Sequence, residues 1–251
     1  TGILSLGHGV FFGLGGYCMG MYLSLAIGSS GVYQSKLPDF MVWNRVKELP
    51  FFWEPFHSFP ITLLCAILVP AIFASLFGFL AFRTRVKGVY FAIITQALAL
   101  SAWLVFNRNE INLGGTNGLT NFKKILGFSL QDVGTQRFLY IATAITLCLA
   151  YMICKYIVQS RAGKILLAIR DSENRVLYSG YTPSNYKVFV FAISAVLAGI
   201  AGALYVPQVG IITPGKIGVL PSIEMVIWVA VGGRGTLSGA ILGAVSVNWM
   251  R

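Results

Sequence analysis

The side chains that commonly carry out enzymatic chemistry are sparse in this sequence and form no catalytic pattern. No HExxH zinc motif, GxSxG nucleophile motif, dinucleotide fingerprint or closely paired carboxylates occurs. The cysteines stand apart, without a CxxC pair or a Cys/His cluster, at Cys18, Cys65, Cys148 and Cys154. This pattern predicts neither a metal site nor a disulfide framework, and it gives a membrane-embedded enzyme little support.

Glu224 is the acidic residue that stands at the edge of an apolar segment. Asp171 and Glu173 lie in an amphipathic segment, and the remaining acids lie in polar loops. Two interpretations of Glu224 stay open: it supports the start of a helix that Ser222 caps, or it lines a passage. A proton-coupled carrier needs several buried ionisable groups. The sequence therefore favours a translocation unit whose energy enters from elsewhere.

Thr95 and Gln96 bring polar groups to the middle of an apolar span at residues 88–106. A glutamine at that depth needs a hydrogen-bonding partner or a watery cavity. We expect these two residues to line a passage or to pack against another helix, rather than to face lipid.

The composition is that of an integral membrane protein. Of the 251 residues, 56% are hydrophobic and only 11% are charged, and the mean hydropathy is +0.75; ordinary soluble domains contain about a quarter charged residues. The net charge of +11 comes from lysine and arginine placed between apolar spans, where they contact lipid headgroups. We therefore expect no nucleic-acid partner.

Long apolar runs predict five spans and a broken sixth, in an all-α polytopic fold with a single transmembrane domain over residues 1–251. Runs of this length suffice to cross about 30 Å of hydrocarbon. The predicted spans are residues 4–27, 59–82, 88–106, 137–158 and 186–206, followed by two short pieces at 223–231 and 236–249. Broken helices of this kind line substrate pathways in transporters, because irregular backbone is tolerated at depth only beside protein or water.

Glycines at close spacing predict where helix backbones approach one another. In lipid, small residues allow close van der Waals packing where no hydrophobic drive exists. The predicted packing residues are Gly9 and Gly13 in the first span, Gly199 and Gly202 in the fifth, and Gly235, Gly239 and Gly243 in the broken tail.

Residues 160–180 form the least hydrophobic helix of the chain, with one apolar and one charged side. Burying each of its charges in lipid would cost about 2.5–3.5 kcal/mol, so the segment must face water. It is either a solvated connector on the headgroups or a surface that another protein grips. Lysine and arginine are about twice as dense in 83–87 and 155–187 as in the other loops, which places this segment in the cytoplasm.

The chain lacks an initial methionine and stops directly after an apolar run. We therefore expect the natural protein to extend beyond both ends.

Several strings resemble the branched-chain amino acid type of ABC-importer permeases. They are LSLGHGVFFGLGGY, SRAGKILLAIRDSE, AGIAGALY and GGRGTLSGAILGA, and the resemblance covers essentially the whole chain. Other strings are similar to the urea-transporter branch of that family: YFAIITQALAL, NRNEINLGGTNGLTNF, AIRDSENR, YVPQVGIITP and SIEMVIWVAVGGRGTL.

The resemblance implies a multi-pass subunit of a bacterial cell-membrane importer. Its expected partners are a second permease subunit, cytoplasmic ATP-binding subunits and an extracytoplasmic substrate-binding protein. It implies no cofactor in this chain, since ATP would be bound by the partners. It also implies a coupling helix within residues 160–180 that docks on an ATPase subunit, with docking candidates Arg161, Gly163, Arg170, Asp171 and Glu173.

Urea is the substrate that the resemblance favours. Urea is small, neutral and rich in donors and acceptors, so its pathway needs amides, hydroxyls and at most one carboxylate. The lining candidates are Thr95, Gln96, Gln208, Glu224 and Trp228, each of which has helix packing as its alternative role. The alternatives are a permease for branched-chain amino acids or short amides and, from another class, a passive urea or amide channel. A channel has no use for an exposed docking helix.

Overall fold

The computed structural model describes residues 2–28, 35, 37–46, 48–84, 86, 88–233 and 235–250. Five of its helices are long and apolar enough to cross a membrane, and a bent helix pair makes a sixth candidate. This confirms the predicted all-α polytopic membrane fold. Part of the connection between the first two predicted spans lies outside the described residues, as do Arg85 and Lys87, on which the predicted orientation partly depends.

Nine α-helices follow one another along the described chain. They are α1 His8–Ile27, α2 Asp39–Trp43, α3 Phe59–Arg83, α4 Val89–Phe106, α5 Val133–Gln159, α6 Arg161–Tyr178, α7 Pro183–Val209, α8 Val219–Gly232 and α9 Leu237–Trp249. Among the same residues, short 3₁₀ turns occupy Phe51–His57, Asn109–Ile111, Gly115–Asn117 and Pro214–Lys216.

Two short antiparallel strand pairs lie in the connections. Strand β1 (Leu119–Thr120) pairs with β4 (Ile211–Ile212), and β2 (Lys124–Ile125) pairs with β3 (Phe128–Ser129). The first pair ties the loop that precedes α5 to the loop that follows α7, so these two loops lie at the same end of the helices.

Helices α1, α3 and α7 form the centre of the bundle, and glycines allow their backbones to approach. A Cβ atom on Gly202 would fall on the carbonyl oxygen of Phe12, and one on Gly15 would fall on the carbonyl oxygen of Gly199. Gly199 also faces α3, where a Cβ would lie 2.7 Å from the oxygen of Ala66. Van der Waals contact at this range replaces the hydrophobic drive that lipid does not supply.

The first span is shorter than the sequence predicts, because α1 begins at His8 while residues 2–7 are not helical. The backbone N–H of Leu6 donates to the Thr95 hydroxyl at 3.0 Å, so this non-helical stretch reaches the middle of α4. A Cβ atom on Gly9 would lie 3.0 Å from the carbonyl oxygens of Lys216 and Gly218, and one on Gly13 would fall on the Ile217 side chain. These two glycines therefore face the segment that leads into α8.

Two predicted boundaries around residue 210 are wrong. Helix α7 extends to Val209 with Pro207 buried inside it, and it ends at Gly210, whose φ of +78° is in the left-handed region. Pro207 removes one backbone N–H donor from the helix, which transmembrane helices tolerate where neighbouring groups satisfy the freed carbonyl. Helix α8 starts at Val219 after Gly218, so Ser222 is an interior residue and not the predicted N-cap.

The tail is broken as predicted, with α8 and α9 meeting at a bend of 111°. A Cβ on Gly239 would fall on the carbonyl oxygen of Gly232, and one on Gly243 would fall on that of Trp228. Gly235 has a φ of +94°, a conformation that favours glycine at the turn between the two helices.

Candidate functional site

The amphipathic segment begins with a capped and tightly packed turn. The Ser160 hydroxyl accepts a hydrogen bond from the N–H of Gly163 at 3.3 Å, as an N-cap serine does. A Cβ on Gly163 would meet the carbonyl oxygen of Val158, which belongs to the last turn of α5. The start of α6 is therefore fixed directly against the end of α5.

Helix α6 turns one apolar side toward α7. Leu166, Ile169 and Val176 are buried there, with Tyr186 and Val190 of α7 packed against them. The opposite side is exposed and carries most of the charges. Arg161, Arg170 and Asp171 are exposed, and the Arg170 Nε lies 3.1 Å from Asp171 Oδ1. Of the five docking candidates, these three present charge to water.

Helix α6 is interrupted at Ser172, whose φ of −158° and ψ of 93° are not helical. The sequence predicted one continuous helix here and missed this break. The sequence signal for the break is the serine itself, because its hydroxyl competes for local backbone hydrogen bonds. This signal is weak, since serine also occurs inside regular helices. The break divides α6 into a charged part before Ser172 and a shorter part after it.

Glu173, the first residue after the break, does not face water freely. Its Oε1 accepts a hydrogen bond from Lys187 Nζ at 2.7 Å, and the side chains are 25% and 8% exposed respectively. Lys187 lies in the second turn of α7 and also sits 5.9 Å from the centre of the Phe82 ring. Glu173 is predicted from the sequence as a docking residue, but nothing in the sequence pattern identified Lys187 as its partner.

The five predicted lining residues do not converge on one site. The Thr95 hydroxyl is buried between α4 and α1, where it accepts from Leu6 and donates to the Ala92 carbonyl at 2.9 Å. Gln96 is exposed on the other side of α4. Gln208 lies at the end of α7, where its Nε2 donates to the Thr143 hydroxyl of α5 at 2.7 Å.

Glu224 and Trp228 are the two lining candidates that the structure brings together. They lie one turn apart on α8 and share a shallow pocket of about 380 Å³ with the end of α9. The other walls of this pocket are Ile227, Val247, Asn248 and Met250. Both residues are partly buried.

A second polar group, which the sequence analysis did not predict, surrounds the first turn of α1. His8 Nε2 and the Ser194 hydroxyl of α7 are hydrogen-bonded at 2.7 Å. The N–H of Gly9 donates to the Ser222 hydroxyl of α8 at 2.9 Å. Because a helix start leaves backbone N–H groups without intrahelical partners, a buried start needs acceptors of this kind.

An apolar groove of about 670 Å³ lies between α3, α5 and α7. Its walls include Leu63, Ala66, Leu139, Ala142 and Ala203. The groove holds few polar groups, so it does not resemble a site for a polar solute.

Comparison with known proteins gives one family over nearly the whole chain. The family model described as "branched-chain amino acid transport system / permease component" matches residues 1–250. No solved structure matches the chain.

Individual relatives are similar at moderate identity. The high-affinity branched-chain amino acid transport system permease protein LivM of Salmonella typhimurium is 28% identical over 266 residues, covering 97% of this chain and 58% of that protein. BraD of Pseudomonas aeruginosa, described in the same terms, is 25% identical over 75% of this chain and 64% of its own length. The autoinducer 2 import system permease protein LsrC of an Enterobacter species is 24% identical, over 75% of this chain and 54% of its own length. The chain thus spans less than two thirds of each of these relatives.

Proposed function

The chain belongs to the branched-chain amino acid transport system permease family, and on that premise we propose that it is a membrane-spanning subunit of an ATP-driven importer. The match over residues 1–250 is the observation that carries the proposal. Members of this family are transport subunits, and the apolar helices make the chain a multi-pass protein of the bacterial inner membrane.

We propose that α6 faces the cytoplasm and docks on an ATP-hydrolysing partner subunit. Three observations support this role: the charged outer side, the apolar inner side, and the close attachment of α6 to both α5 and α7. Arg161, Arg170 and Asp171 would contact the partner, while Gly163 would hold the helix in place. A second permease subunit would complete the pathway, and an extracytoplasmic binding protein would deliver the solute.

Branched-chain amino acids are the substrate class that the comparisons favour. The names of LivM and BraD state that transport. An amino acid carries an ammonium group. A carboxylate such as Glu224 attracts this group by charge, and the ring face of an indole such as Trp228 attracts it by a cation–π interaction. These two side chains share a pocket on α8, and their pairing supports a role in the pathway.

Urea is the second candidate, and the long strings similar to the urea-transporter branch favour it. LsrC, a relative at 24% identity, has a name that states a different cargo, so resemblance to these permeases does not by itself fix the solute. Urea needs no charged partner, and hydroxyl and amide groups suffice for it.

The test is uptake by right-side-out or reconstituted vesicles that contain the complete importer, with ATP enclosed on the ATPase side and the binding protein outside. Labelled leucine and labelled urea are each offered with an excess of the other compound. ATP-dependent leucine uptake that urea does not reduce is the expected result. ATP-dependent urea uptake that leucine does not reduce would establish the second candidate instead. Uptake that proceeds equally without ATP would contradict the importer and indicate a passive channel.

A further inference from the structure

We propose that the ion pair between Lys187 and Glu173 is the mechanical link that carries a displacement of α6 to the centre of the bundle. This inference rests on the proposed importer function and assigns to Lys187 a positioning role rather than contact with solute or ATPase subunit.

The break at Ser172 makes the link necessary. In a continuous helix, hydrogen bonds from each residue to the fourth one before it transmit an axial displacement as in a rod. The extended backbone of Ser172 interrupts this ladder between Asp171 and Glu173. A push on the charged part of α6 would therefore be absorbed at residue 172 unless the following part were held to its neighbour.

The Lys187–Glu173 pair supplies that hold directly after the break. Its N–O distance is 2.7 Å, and the lysine side chain is only 8% exposed, so the ammonium is largely shielded from water and its attraction to the carboxylate is stronger than at an open surface. The Phe82 ring, 5.9 Å from Lys187 Nζ, adds a contact with the end of α3. A buried ammonium that lost its carboxylate would be left unpaired at high cost, so the pair resists separation.

Lys187 joins this contact to α7, a helix whose backbone packs closely against α1 and α3. Further along α7, Gly199 lies against Ala66 of α3, and Gly202 lies against Phe12 of α1. Helices whose backbones lie this close cannot slide past one another independently, because a packed interface has a few discrete arrangements and does not deform continuously. A displacement received at Lys187 thus moves α7 together with α1 and α3.

The experiment uses the complete importer in vesicles and compares the uptake per ATP hydrolysed among charge variants. Glu173→Lys and Lys187→Glu each place like charges together, and the double variant restores an ion pair in the reversed order. We expect each single variant to lose about tenfold in uptake per ATP while ATP hydrolysis continues, and the double variant to recover most of it. Arg175→Glu, an exposed charge reversal two residues from Glu173, is the matched control and should leave the ratio unchanged.

A further variant covers the case in which the single charge reversals fail to fold. The double variant Glu173→Gln with Lys187→Met removes both charges and leaves no unpaired buried ion, so it should assemble normally. We expect it to hydrolyse ATP and to be uncoupled by about tenfold. Wild-type coupling in this variant would overturn the inference.

Two other results would also overturn it. One is a reversed pair that stays as poorly coupled as the single variants. The other is a parallel loss of ATP hydrolysis and uptake in every variant, which indicates a structural role alone. ATP-independent uptake by the wild-type importer would instead refute the proposed function, and this inference with it, so the two failures are distinguishable.

Discussion

Single residues in this protein show how close packing in lipid depends on the absence of a side chain. Gly202 of α7 lies against the main chain of Phe12 and Gly16 in α1, at a range that no Cβ atom can enter. Gly215, by contrast, lies in the turn before α8, where a Cβ would meet only the Thr213 hydroxyl at 3.5 Å, an ordinary contact. Close helix packing therefore requires glycine at position 202, whereas position 215 has room for a larger residue.

We expect Gly202→Ala to lower the free energy of unfolding in detergent by about 1–3 kcal/mol, because the added methyl group forces α1 and α7 apart. Thermal unfolding of the purified protein measures this loss as a lower Tm. Gly215→Ala is the control and should leave the Tm nearly unchanged. An equal Tm for Gly202→Ala and the wild type would show that the helices separate at little cost, contrary to the packing described.

Among the elements, α6 is the one to which we assign two roles, docking and transmission, and its break at Ser172 separates them. The part before Ser172 carries the exposed charges Arg161, Arg170 and Asp171, while Glu173 after it is bound to α7. Loss of docking and loss of transmission should therefore have different signatures. A docking variant should release the ATPase subunit, whereas a transmission variant should retain it.

Arg170→Ala tests the docking role of the exposed part. We expect the affinity for the ATPase subunit to fall about fivefold to thirtyfold, the range for a significant interface contact, with membrane insertion unaffected. Co-purification of the ATPase subunit with the tagged permease measures the change. Lys124→Ala, in the hairpin that precedes α5, removes an exposed charge at the other end of the molecule and serves as control. Undiminished co-purification would remove Arg170 from the docking surface.

At the scale of the whole molecule, α5 sets the distance between the β2–β3 hairpin at one of its ends and α6 at the other. Its 27 residues from Val133 to Gln159 separate the hairpin containing Lys124 from α6. At 1.5 Å per residue this helix is about 40 Å long, so the two positions lie on opposite sides of the membrane. The positive-inside rule then predicts that the α6 side is the cytoplasmic one.

Cysteine labelling tests this topology. In a variant in which Cys18, Cys65, Cys148 and Cys154 are replaced by alanine, single cysteines are placed at Lys124 or Lys164. A membrane-impermeant maleimide should label position 124 in spheroplasts, and position 164 only after the membrane is opened. Labelling of position 164 in sealed spheroplasts would show that the orientation is the opposite of the predicted one, and α6 could then not contact a cytoplasmic ATPase.

The sequence by itself determined the features that depend on local composition. Runs of about 20 apolar residues must cross the membrane in helical form, because lipid offers no partner to backbone polar groups. The all-α fold, the broken tail and the amphipathic segment were therefore predictable, as was the family from its strings. The segment at residues 160–180 was predictable because charge cannot be left in lipid.

The tertiary structure alone decided which polar side chains meet. Nothing local to Lys187 shows that its ammonium group reaches Glu173, 14 residues earlier, across the break at Ser172. The start of α1 at His8 likewise depends on acceptors from distant helices, such as the Ser222 hydroxyl. Gln96 and Thr95 are neighbours in sequence, yet one is exposed and the other buried, because successive helix residues point about 100° apart and packing selects the side. Hydrophobicity sets how a segment crosses the membrane, whereas the rotation and depth of each helix follow from its contacts.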